Sequence, residues 1–96
     1  MYRNKLTTPE MEWFFKAILS LKTEDDCARF FEDVATIGEV QAMAQRLHVA
    51  KLLNDGCKYS DVAEVTGAST ATISRVSRCL TYGADGYKLV LGRLEK

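Results

Sequence analysis

Residues 59–82, YSDVAEVTGASTATISRVSRCLTY, constrain the fold more than any other part of the 96-residue chain. Val62, Ala63 and Val65 offer a short apolar face. Gly67 then supplies the residue that best tolerates a left-handed position just past a helix end. Ser69 brings an N-cap oxygen, and Ile73, Val76 and Leu80 recur at helical spacing behind it. Two helices crossing over a tight turn leave little room for a side chain, which accounts for alanine at position 63. A small residue, a glycine and a β-branched apolar residue at 63, 67 and 73 thus predict a helix-turn-helix. The outward face of its second helix carries Thr70, Ala71, Ser74, Arg75 and Arg78. Short hydroxyls, a methyl group and forked cations suit phosphates and base edges in a major groove. The rival reading is an ordinary helical hairpin in a protein-binding or structural domain. An outer face without acids favours DNA.

Composition bounds the rest. Ninety-six residues make one domain, large enough for a core but near the size where association helps. With 47% hydrophobic residues the chain folds rather than staying disordered, and six Gly with one Pro predict an all-α fold. The net charge of zero excludes a globally basic nucleic-acid binder. Charge is nevertheless uneven: residues 1–34 hold five basic and seven acidic side chains, residues 68–96 five and two. A DNA-facing surface is therefore local, drawing on a limited set of phosphate contacts. Cys27, Cys57 and Cys79 are odd in number, widely spaced and without a C-x-x-C pair. They predict reduced thiols, with no disulfide frame, metal site or cofactor. No signal-like segment or membrane-length apolar run is present, so the expected location is the cytoplasm, without a membrane partner.

Met1 to Leu6 is a polar, basic lead-in expected to fray. Thr8, Pro9 and Glu10 then open a helix to about Leu21, with Trp13, Phe14, Phe15, Ile18 and Leu21 on and beside one face. Thr23 with Asp26 opens a second, carrying Phe30, Phe31 and Val34. Residues 13–31 hold five of the nine aromatics. That payload predicts burial against a second subunit as well as within the chain. Thr36 with Glu39 opens a third helix to about Asn54, before Gly56. Its expected buried stripe is Val40, Met43, Ala44, Leu47, Ala50 and Leu53, with Gln41, Gln45, His48 and Lys51 on more exposed faces. Arg46, beside the stripe, needs an acidic neighbour, a carbonyl or a bound anion. Gly83 stops the second motif helix, and Asp85 begins a last one with Tyr87, Leu89, Val90 and Leu94 packing on the core or across a dimer.

The stretches IGEVQAMAQRLHVAKLLNDG at 37–56 and TGASTATISRVSRCLTYG at 66–83, with SLKTEDDCARFFED at 20–33, are similar to the tryptophan repressor superfamily. The likeness is to its TrpR-like YerC/YecD group. This resemblance implies a six-helix, intertwined homodimer presenting two recognition helices to one DNA site. It also implies that the threonine and two arginines with which the tryptophan repressor grips its corepressor fall on Thr36, Arg46 and Arg75. One departure concerns that pocket: Val76 stands where the repressor has glycine, so its branched side chain projects into the indole space or shifts the helix. Free tryptophan is therefore not the expected effector, although a small carboxylate is compatible with the two cations. A second departure is a one-residue gap in the turn at 56–60.

The sequence thus predicts a single Trp-repressor-like domain over residues 1–96: a non-catalytic, cytoplasmic, homodimeric regulator of transcription. Its expected contacts with double-stranded DNA are Lys58, Ser69, Thr70, Ala71, Thr72, Ser74, Arg75 and Arg78. The alternative is a helical protein-interaction module that keeps the fold without binding DNA. An enzyme is disfavoured, because the chain has no Gly-rich phosphate loop, metal-ligand cluster or paired acid and base, and His48 is its only histidine.

Overall fold

The computed structural model of the protein describes residues 4–95, which form six α-helices and no strand. They are α1 (Pro9–Leu19), α2 (Glu24–Val34), α3 (Ile37–Asn54), α4 (Tyr59–Thr66), α5 (Thr70–Tyr82) and α6 (Gly86–Leu94). The chain separates into two compact units, residues 1–37 and 38–96. Part of the lead-in, residues 1–3, lies outside the described residues, as does Lys96. The rest of the lead-in turns on Asn4, whose side-chain oxygen accepts from the Leu6 N–H at 2.8 Å and the Thr7 hydroxyl at 2.9 Å.

The first unit is organised by two threonine caps. Thr8 is extended and accepts from the Met11 N–H at 3.0 Å, with Pro9 at the first helical position and Glu10 and Glu12 complementing the helix dipole. The helix stops at Leu19 rather than Leu21. The Ser20 hydroxyl donates to the Ala17 carbonyl at 2.6 Å, offering the backbone a local alternative to another helical turn. Thr23 caps α2 by accepting from the Asp26 N–H at 3.0 Å. Asp26 in turn reaches the N–H of Lys22, one residue before the cap. Phe14 and Phe30 lie 6.0 Å apart at a tilt of 33°, and Phe30 meets Phe31 edge-on at 5.4 Å. These rings join α1 to α2, yet no residue of either helix is fully buried on the single chain and Trp13 is 74% exposed.

The second unit holds the core: Val49, Ala50, Val62, Ala68, Ile73, Val76 and Leu91. Here the structure corrects the expected stripe of α3. Met43 and Ala44 are exposed and Val40 is half-buried, whereas Val49, which lies off that stripe, is completely buried. The reason is that α3 enters the core cluster only through residues 47–53, so apolar side chains nearer its start have nothing to pack on within this unit. On α4, Val65 is 63% exposed instead of facing inward. Thr66 takes the second inward position, one helical turn after Val62, because its polar atoms serve the turn that follows. On α6 only Leu91 is fully buried and Tyr87, one turn earlier, packs beside it. Leu89, Val90 and Leu94 are exposed.

Gly83 ends α5 at a close approach. A Cβ built there would clash with the Cys79 carbonyl oxygen, to which Gly83 donates its N–H at 2.9 Å. Gly83→Ala must therefore unwind the last turn of α5, at an expected cost of about 1–3 kcal/mol. A urea midpoint unchanged from that of the parent would refute this.

Candidate nucleic-acid interface

The helix-turn-helix is built from α4 and α5. Lys58 precedes α4 in an extended conformation and lends it no side-chain cap; Asp61 in the first turn complements the helix dipole. At the other end Gly67 adopts φ +72°, ψ +7°, in the left-handed region, and its N–H donates to the Ala63 carbonyl at 2.8 Å. A side chain here would carry the steric penalty of that conformation. The Thr66 hydroxyl donates to the Val62 carbonyl at 2.7 Å and accepts from the Ala68 N–H at 3.1 Å. Ala68 is buried under the turn. Ser69 is extended and its Oγ accepts from the Thr72 N–H at 3.1 Å, opening α5 at Thr70. The start of the second helix is thus fixed by four consecutive residues with distinct tasks.

Burial then divides α5 lengthwise. Ile73 and Val76 are fully buried and Leu80 packs against them, while Thr70, Ala71, Arg75 and Arg78 are exposed. Ser74 and Thr72 are half-buried at the margin, and Thr72 also shares a hydroxyl hydrogen bond of 3.1 Å with Ser69. Lys58 is exposed just ahead of α4. Among the described residues the ion pairs are Arg29 with Asp25 and Lys51 with Asp55, both along single helices. The Asp55 carboxylate, 3.0 Å away, raises the Lys51 pKa above the usual lysine value and ties up that ammonium. Lys58, Arg75 and Arg78 have no such acid among the described residues, and α5 has no acid in its first turn. The exposed side of α5 is a strip of methyls, hydroxyls and uncompensated cations.

The three residues implied as an effector grip are distributed differently. Arg46 lies half-buried on α3 and Arg75 exposed on α5, both in the second unit, whereas Thr36 falls in the first. No cluster able to hold a metal ion occurs among the described residues, nor is any described helix long and apolar enough to cross a membrane. Cys27, Cys57 and Cys79 are free thiols. An open groove of about 500 Å³ also runs beside the motif, lined by Leu47, Cys79, Gly83, Ala84, Tyr87 and Val90.

One contact to the motif comes from outside it, on α3. Gln45, expected on a more exposed face, is half-buried and donates its side-chain N–H to the Thr66 carbonyl at 3.1 Å. Twenty-one residues separate the two, so no local spacing signals the contact.

Comparison with known proteins agrees with this geometry. The family model described as Trp repressor protein matches residues 9–95. The uncharacterised protein YerC of Bacillus subtilis is 50% identical over 96 residues, spanning all of this chain and 92% of its own. A crystal structure of a TrpR-like protein from Eubacterium eligens superposes with a TM-score of 0.92 at 56% identity, covering 97% of this chain and 96% of that one. Another, of a candidate Trp repressor from Staphylococcus aureus, gives 0.91 at 43% identity, with 95% and 91% covered. Six helices, a capped helix-turn-helix and near-complete coverage by these relatives lead to one assignment: the chain belongs to the Trp repressor family.

Proposed function

We propose that the protein is a cytoplasmic, non-catalytic transcriptional regulator that binds duplex DNA as a homodimer and reads sequence with α5. The observation that carries this reading is the division of α5. Its inner face is sealed into the core by Ile73 and Val76, and its outer face offers Thr70, Ala71, Arg75 and Arg78 without an acid partner among the described residues. A helix so mounted presents a rigid row of short groups to base edges. Its arginines reach further, toward phosphates or a guanine. Lys58, Ser69, Thr72 and Ser74 flank that row and complete the proposed contact set.

The apolar surface left open on the single chain supports the homodimer. Trp13, Leu19, Ile37, Leu89 and Leu94 are each more than half exposed, and the 500 Å³ groove is lined mainly by carbon. Apolar side chains exposed in such number on so short a chain support an association surface. In the dimer two recognition helices address half-sites about 34 Å apart, or a multiple of one helical turn.

Titration of labelled duplex DNA across a series of salt concentrations tests the reading. The expected result is tight binding that falls linearly on a log–log scale. Binding absent at low salt would leave the protein-interaction module in its place. Analytical ultracentrifugation is expected to give a dimer at every workable concentration; a folded, concentration-independent monomer would overturn the homodimer.

A further inference from the structure

We infer that Gln45 is a positioning residue for the recognition helix, acting through the backbone of the turn; this rests on the reading of α5 as the DNA-reading element. The hydrogen bonds already described for the turn are all local. Gly67 to Ala63, Thr66 to Val62, Ala68 to Thr66 and Thr72 to Ser69 each span four residues or fewer. They determine the shape of the turn, but none of them relates the turn to α3. The core contacts from Val49 and Ala50 do so only through dispersion and burial, which are weakly directional. Gln45 adds the directional link. Its Nε2 meets the Thr66 carbonyl, one of the carbonyls that a helix end leaves without an intrahelical partner. Both residues are half-buried, so water is a poorer substitute than at an open helix end.

Contacts of different reach respond differently when this link is lost. Arg75, Arg78 and Lys58 are long and flexible, and follow phosphates through a small displacement of α5. Thr70, Ala71 and Ser74 are short, and a base-edge contact fails with a shift of a fraction of an ångström. Gln45 therefore sets sequence discrimination more than total affinity.

The test compares the parent with Gln45→Met, which keeps the length and removes the donor, and Gln45→Lys, which retains an N–H donor. Two duplexes are titrated over a salt series: one selected from random DNA by the parent, and an unrelated one. Gln45→Met is expected to weaken the selected duplex about five- to tenfold, within the range of one lost hydrogen bond, and the unrelated duplex less than twofold. Its salt slope stays that of the parent, and Gln45→Lys recovers most of the lost preference between duplexes. Equal weakening on both duplexes, or no change on either, overturns the inference. Amide hydrogen exchange on the free proteins provides the second readout, with Gly67 and Ala68 losing protection in Gln45→Met while the α1 and α2 amides keep theirs. Unaltered exchange at those two amides also overturns it. If the parent itself binds no duplex, the functional reading fails, and the exchange data still decide whether Gln45 holds the turn.

Discussion

Substituting Arg75 and Arg78 together by alanine is expected to weaken binding to any duplex by at least about a hundredfold at moderate salt. The estimate follows from charge and symmetry. Both guanidinium groups are exposed on α5 and free of carboxylate partners among the described residues, so their charge is available to DNA rather than spent within the chain. In the proposed homodimer the double substitution removes four cations. If all four meet phosphates, the log–log salt slope flattens by about 3.6, at about 0.9 for each contact. The fold is expected to tolerate the change, because neither arginine belongs to the buried cluster and surface substitutions generally cost within about 0.5 kcal/mol. A parental circular dichroism spectrum combined with collapsed affinity places the loss in the interface. The single variants separate two roles: one that touches only phosphate weakens all sequences alike, whereas one that takes a guanine also relaxes preference at a single base pair. Parental affinity and slope in the double variant would remove α5 from the DNA interface.

What the sequence made legible follows from the range of the interactions involved. Gly67, Ser69 and the threonines at 8 and 23 act on backbone groups two to four residues away, so residue type and spacing announce them. The inward positions Ile73 and Val76 were legible for the same reason, since a 3.6-residue period places both on one side of a short helix. Val49, Leu91 and Gln45 depend instead on which faces the other helices happen to cover. Of the expected stripe on α3, Leu47, Ala50 and Leu53 do meet the core; that Val49 joins them while Met43 and Ala44 stay outside is decided only when α4, α5 and α6 close over residues 47–53. Val65 failed as an inward residue because the turn recruited the polar atoms of Thr66. A preference for apolar residues inside does not anticipate that competition. The apolar payload of the aromatic helices is plain from composition, and the rings of Phe14, Phe30 and Phe31 meet within the chain. Trp13 remains outside that cluster, as apolar surface that the proposed partner subunit covers.

The second large effect belongs to Val76, and it joins stability to the question of an effector. Val76 is 1% exposed and belongs to the same buried cluster as Ile73 and Val62. It is therefore a fixed part of the core, and a ligand cannot displace it by a simple rotamer change in solvent. Val76→Gly removes three buried carbons, leaves a cavity and places glycine inside a helix; together these cost about 3–4 kcal/mol, a large share of the stability of a small domain. Val76→Ala, which spares the helix, is expected to cost about 2 kcal/mol. Denaturant midpoints of both variants check these values, and two parental midpoints would show that Val76 is not buried in solution. With stability measured, calorimetry with millimolar L-tryptophan becomes interpretable. The parent is expected to give no heat of binding, because the resemblance puts Val76 where the tryptophan repressor leaves room for the indole; overpacking by groups of that size costs about 1–3 kcal/mol. Val76→Gly is expected to bind tryptophan and to recover stability in proportion to ligand concentration, as any ligand selective for the folded state requires. The carboxylate grip that the resemblance implies for Thr36, Arg46 and Arg75 is then tested by Arg46→Ala in the same background, which should abolish the heat. Tight tryptophan binding by the parent would refute the filled pocket, whereas absence of binding by both proteins would remove these three residues from any tryptophan-like role.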